Sequence, residues 1–226
     1  MRNVAICAVA VGSLWLGAGQ ALAADPVSFQ FGVASQYVGK GLGKSDEEPS
    51  VSGEVTLSNG GFYGRLFAST ADLPQGSDAE ILTTLGYRTT VAGYGLDMHV
   101  INRDLPGTRP GIDANYTEFE VDASRRFGPV STRFRVNYTA DGFAASEEAW
   151  WVEIQGGVSL DSKTKATAAI ADRSAENGND YRAWNVGVKR KLDDRFALDV
   201  RWYDTDEHRF GDRYDGRLVA ALTLAL

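Results

Sequence analysis

From Phe29 to Leu226 one segment after another alternates apolar and polar residues with period two. That periodicity belongs to strands, whose successive side chains point to opposite faces. Phe29, Phe31 and Val33 alternate with Gln30, Gly32 and Ala34. Phe119, Val121 and Ala123 alternate with Glu118, Glu120 and Asp122. Phe134, Val136 and Tyr138 alternate with Arg133, Arg135 and Asn137, and Leu218, Ala220, Leu222, Leu224 and Leu226 share one face. The pattern predicts an all-β chain of about twelve strands, at 26–37, 50–58, 62–70, 79–88, 93–103, 115–127, 130–140, 148–160, 164–172, 181–191, 195–204 and 216–226. Segments 62–70 and 164–172 carry it least clearly. The second is alanine-rich, and a short helix is its rival reading.

The connections sort by length. Segments 59–61, 89–92, 128–129, 161–163 and 193–194 are tight-turn sequences, whereas 38–49, 71–78, 104–114, 141–147, 173–180 and 205–215 are long. Short turns at one end and long loops at the other describe an antiparallel up-and-down transmembrane β-barrel. An even strand number returns both termini to the short-turn side. Tyr37, Tyr87, Tyr94, Phe127, Tyr138, Trp150, Phe196 and Trp202 fall near strand ends. Amphipathic rings suit the lipid–water boundary there, as they would not in a soluble core.

The N-terminus fits export. Arg2 precedes an apolar run from Val4 to Leu16, and Ala21-Leu22-Ala23 has the small-x-small form of a cleavage site. The expected organisation is a signal peptide over 1–23 and one outer-membrane barrel domain over 24–226. Cys7 lies inside that leader, so the mature chain has no thiol for a disulfide or a metal. The chain carries 23 basic and 30 acidic side chains, net −7, or −8 once Arg2 is removed. This balance argues against nucleic acid as a partner.

A barrel in lipid turns its polar face inward. The expected pore-lining residues are Arg65, Glu118, Glu120, Asp122, Arg133, Arg135, Lys189, Asp199 and Arg201. Across the 128–129 turn, Asp122 should sit nearly opposite Arg135, and across 193–194, Lys189 should sit close to Asp199. These charges either brace the interior or shape the field of a narrow pore, and the two roles are compatible. Their mixed signs predict no strong ion selectivity.

Ser35-Gln36-Tyr37-Val38 and its continuation through Gly41, Ser45, Asp46, Pro49 and Gly53 resemble the opening of the TorF-type family of outer-membrane porins, also known as Gcw_chp. Gly61-Phe62-Tyr63, Asn115-Tyr116-Thr117-Glu118 and Tyr203-Asp204-Thr205-Asp206 echo it further along. Gly39-Lys40 replaces the family's Phe-Arg, keeping the charge and losing the aromatic. The resemblance implies an outer-membrane barrel and leaves the solute open. Its partners would be outer-membrane lipid, the barrel-assembly machinery and a small hydrophilic solute. The alternating Leu218–Leu226 strand would carry the assembly signal, with Leu226 where an aromatic is common.

Catalytic chemistry is sparse. His99 falls on a polar strand face, and His208 lies beside Asp204, Asp206 and Glu207 in a long loop. Asp204, Asp206 and His208 are the only candidates for a rim hydrolase; the three carboxylates Asp204, Asp206 and Glu207 with His208 could also bind a divalent ion, but the Asp-x-Asp-x-His spacing fits no specific motif. The segment Gly39–Lys44 lacks phosphate-loop spacing and is expected in an external loop. No cofactor, metal or catalytic residue is assigned. The expected function is a porin-like channel for passive passage of small hydrophilic solutes or ions. The alternatives are a closed barrel with a structural or loop-mediated binding role, and a rim hydrolase.

Overall fold

A computed structural model describes residues 9–10, 13–14, 26–143 and 146–226. The expected leader lies almost wholly outside them. Among the described residues twelve strands build the sheet: β1 (Val27–Ala34), β2 (Ser50–Asn59), β3 (Phe62–Thr70), β4 (Ala79–Val91), β5 (Tyr94–Asp104), β6 (Asn115–Phe127), β7 (Val130–Gly142), β8 (Glu147–Ser159), β9 (Thr164–Ala175), β10 (Tyr181–Lys191), β11 (Phe196–Thr205) and β12 (Arg217–Ala225). Each pairs antiparallel with its chain neighbours, and β12 returns to β1, so the barrel closes. The seam runs from Ala221↔Ala34 to Ala225↔Gln30. Reciprocal backbone bonds of 3.1 and 2.9 Å between Phe29 and Leu226 extend it. Closure leaves no unpaired edge, which a sheet in lipid requires.

The faces follow the sequence alternation, with the polar side inward. Glu80, Asp97, Asp122 and Thr205 are fully buried inside the barrel, while Phe62, Leu85 and Leu218 are 67, 68 and 60 % exposed on its outer wall. An apolar belt around the whole circumference is untenable in water and is what a hydrocarbon solvent demands. Tyr87, Tyr94, Phe127 and Phe196 ring the short-turn end of this belt. Trp150, Trp202 and Tyr138 ring the long-loop end, where Tyr138 and Trp150 stack at 4.5 Å.

The alanine-rich run is strand β9 rather than a helix. Its inward residues Ala169 and Ala171 are buried, and Ala171 packs with Trp151, Tyr181 and Ala183. Small side chains are needed there because something else fills the lumen.

That filler corrects two expectations. Strand β1 ends at Ala34, not 37, and Tyr37 is buried in the lumen instead of joining the outer girdle. The chain then forms a small inward hairpin, Val38–Gly39 paired with Leu42–Gly43. Segment 35–49 therefore joins the long-loop end by topology, but 35–45 fold down into the barrel while 46–49 stay exposed.

Candidate functional site: the lumen and its inserted hairpin

The inserted hairpin owes its shape to Lys40 and Gly41, whose φ angles are +49° and +81°. Two successive left-handed residues make the tight turn whose twist matches a two-stranded ribbon. Gly41 is required twice over. A Cβ on it would lie 2.6 Å from that of Ala183, so only glycine lets the tip touch the wall of β10.

Apolar contacts hold both arms. Leu42 packs on Trp151, Ala171, Tyr181 and Ala183, while Val38 packs with Tyr203 and Val219. The neighbouring loops close over the hairpin. Tyr181 donates to the Lys40 carbonyl at 2.8 Å, Arg213 donates to the Gly43 carbonyl at 2.8 Å, and Tyr214 stacks edge-on against Tyr181.

Charge holds the opposite side. Glu80 on β4 accepts from Tyr37, from Lys44 at 2.7 Å and from Arg103. Arg103 on β5 also reaches Glu118 on β6 at 2.9 Å, and Glu118 accepts from Lys40. Lys40 donates onward to Asn137 on β7 at 2.7 Å. The hairpin thus spans the bore from β4–β7 to β10–β12. Between them the packing is tight. A cavity lined by Val38, Lys40, Gly41, Trp151 and Glu153 measures about 30 Å³, room for a water or two.

Below the hairpin, towards the short turns, the ladder brings opposite charges together. Asp122 and Arg135 face each other in register as expected and form a two-pronged pair at 2.7 Å on each arm. Arg135 also lies 3.0 Å from Glu120, which reaches His99 at 3.1 Å. Arg133 pairs with Glu153, and Arg65 stands 3.6 Å from Glu54. Asp97 binds Arg88 at 2.8 Å and Tyr63 at 2.7 Å.

The second expected pair departs from this. Lys189 and Asp199 are direct partners in register, yet they form no ion pair. Asp199 turns to Arg201, which holds both of its oxygens at 3.2 Å, and Arg201 also donates to Asn185 and Thr167.

All nine residues singled out as pore-lining therefore face the interior. The sequence reading missed Tyr37, Lys40 and Lys44, the hairpin's own side chains that tie it to Glu80 and Glu118. The signal available was the succession Gly39-Lys40-Gly41, two glycines flanking one cation, which suits a tight turn better than a solvated loop.

The rim candidates do not assemble as a catalytic group. His208 is half exposed, with Nε2 2.8 Å from Asp204 and Nδ1 4.0 Å from Asp215, so both ring nitrogens face carboxylates rather than a hydroxyl. The bond to Asp204 raises its pKa above 6.5. Asp206 accepts the backbone amide of Arg182 at 2.8 Å.

Solved structures share the fold. The KdgM porin superposes with a TM-score of 0.63 over 87% of this chain and 98% of its own, at 8% identity. A structure titled as the KdgM porin in complex with disordered oligogalacturonate gives 0.62 over 88% and 97%, at 7% identity. The NanC porin gives 0.54 over 88% and 97%, at 8% identity. At such identities the likeness establishes the architecture alone. No curated protein matches the chain. The model of a family described as bacterial proteins of unknown function, Gcw_chp, matches residues 20–219, and the chain belongs to that family.

Proposed function

We propose that the protein is a porin-like channel of the outer membrane for small hydrophilic solutes or ions, with its bore set by the inserted hairpin. The observation that carries this reading is the lumen itself. A structural barrel of this size gains little from an interior of buried ions, since apolar replacements of buried pairs are commonly neutral or stabilising. A wall of charges does suit passage of water-borne solutes. The export leader, outer-membrane lipid as solvent and the barrel-assembly machinery as partner belong to the same reading, as does the TorF-type porin resemblance.

The test is single-channel recording in planar bilayers, with heat-modifiable gel mobility reporting the closed barrel. Discrete steps are expected, and the double variant Arg133→Gln/Arg135→Gln should move the reversal potential in a salt gradient towards cations. A folded barrel that stays silent would overturn the channel. The tight packing of the hairpin favours one second reading, a closed barrel that works through its loops, and silence would select it.

A further inference from the structure

The outer wall carries an arginine that the barrel itself does not use. Along β6 the outward residues Phe119, Val121, Ala123, Arg125 and Phe127 alternate with the buried Glu118, Glu120, Asp122 and Ser124. Arg125 is half-buried, with its guanidinium 4.6 Å from the ring centre of Tyr94 and 5.0 Å from that of Phe127. Both rings belong to the girdle at the short-turn end. Among the described residues this guanidinium meets no carboxylate and donates no hydrogen bond. Arg190, outward at the same end, differs: it lies 3.9 Å from Asp161 and donates to Thr164 at 3.0 Å.

A guanidinium turned to lipid is costly deep in the hydrocarbon and tolerated at headgroup height. At that height its planar N–H fork matches the oxygens of a phosphate, and flanking rings hold its plane in place.

From Arg125 back to Val121 is about 13 Å of extended strand, and there the same face opens into a groove. The groove measures about 740 Å³ and is lined by Leu57, Gly64, Leu85, Met98, Phe119 and Val121. That size takes an organic chain rather than an ion. Register explains the hollow. Gly64 stands between Leu57 and Leu85, so a row of large residues has one place without a side chain. Phe62 and Tyr87, with ring centres 4.7 Å apart, close it towards the 59–61 turn. On β6 the outward residue between the groove and Arg125 is the small Ala123, which leaves that side open.

We infer that this wall is a phospholipid site. Arg125 takes the phosphodiester of a lipid in the leaflet at the short-turn end, and the Gly64 groove takes one of its acyl chains. An apolar groove alone selects nothing in a bilayer, because lipid tails are as apolar as the wall. The cation does the selecting, and the groove gives the selected lipid a place for its chain. A second copy of this chain suits the face less well. Two copies related by a two-fold axis along the bilayer normal would oppose the same wall at the same height. The outward residues around Arg125 on β4–β6, Thr89, Val91, Tyr94, Leu96, Ala123 and Phe127, include no acid, so a copy would bring it no counter-charge. The site does not depend on whether the bore conducts.

The experiment is native mass spectrometry of the refolded barrel in an uncharged maltoside detergent, titrated with palmitoyl-oleoyl-phosphatidylglycerol. Saturable retention of one lipid per barrel is expected. Arg125→Gln should weaken it by about tenfold or more, since it removes a charge-assisted contact. Gly64→Leu should weaken it by filling the groove. A Cβ at Gly64 meets only Leu85, at 3.6 Å, so the barrel accepts the change. Arg190→Gln should leave retention as it was. Diacylglycerol with the same chains should bind about tenfold more weakly or worse, and millimolar inorganic phosphate should not displace the lipid. Heat-modifiable mobility reports that each variant closes, and Arg125→Gln, which touches no packed interior, decides the matter by itself.

Absence of saturable retention in the wild type, or retention indifferent to Arg125→Gln, would overturn the site. So would displacement by inorganic phosphate, which would make Arg125 a seat for free anions. A dimer that Gly64→Leu abolishes would overturn it as well, by giving the groove to a second copy.

Discussion

At the scale of single residues, two positions decide how full the lumen is. Gly41 combines a left-handed backbone with contact against Ala183. Gly41→Val meets both obstacles at once, a backbone cost of roughly 1–2 kcal/mol and a side chain with no space. The expected result is a displaced hairpin. Single-channel conductance should rise, and the 38–43 segment should become cleavable by added protease while the barrel stays closed.

Glu80 is the other position. It is the shared acceptor of Tyr37, Lys44 and Arg103. Glu80→Ala leaves Arg103 and Lys44 with one counter-charge fewer in a buried site, a loss of about 3–5 kcal/mol. A drop of the thermal midpoint, accompanied by hairpin release, is the outcome that checks it. Unchanged stability would show that water enters freely enough to replace the carboxylate.

At the scale of elements, the strands were legible because burial on one face and lipid on the other impose a strict period of two. The ladder partners Asp122 and Arg135 follow directly from the 128–129 turn. The inserted hairpin was not legible. Val38–Gly43 has too few residues to show a period, and its direction depends on gaps made elsewhere, by Ala169, Ala171 and Ala183. The same alanines that blurred β9 towards a helix are the space the hairpin occupies. The missing Lys189–Asp199 pair escaped for a related reason. Register sets which Cα atoms face each other, but Arg201, two residues along the same strand, competes for the carboxylate.

The loop over 206–216 closes on the hairpin through Arg213 and Tyr214, and it is pinned in turn by His208 against Asp204. Because that bond raises the His208 pKa, its contribution is complete below about pH 6.5, the unshifted value, and fades as pH rises through the raised one. Hydrogen exchange of the 206–216 amides should therefore be slower at pH 6 than at pH 9 after correction for intrinsic rates. The difference should vanish in His208→Ala.

At the scale of the whole molecule, the charges are divided by place. The chain is acidic, net −7, and runs such as Asp46-Glu47-Glu48 stand at the long-loop end. The short-turn half of the lumen holds its acids in pairs, Arg133 with Glu153, Arg135 with Asp122 and Arg201 with Asp199. Mixed signs in the sequence suggest a bore without strong preference, and pairing across the ladder keeps those charges balanced.

Salt separates the two contributions. Exposed loop charges act over the Debye length, about 10 Å at 0.1 M and about 3 Å at 1 M, whereas charges lining a narrow bore meet the ion at contact. Under the channel reading, reversal potentials in KCl gradients should show cation preference at 0.1 M, set by the acidic loops, and little preference at 1 M. Neutralising Asp46, Glu47 and Glu48 together should change the potential at low salt only. Neutralising Arg133 and Arg135, which leaves Glu153 and Asp122 without their partners, should move it towards cations in both conditions. Strong preference of either sign in the wild-type channel at 1 M would mean that the pairs do not balance at the surface the ion meets.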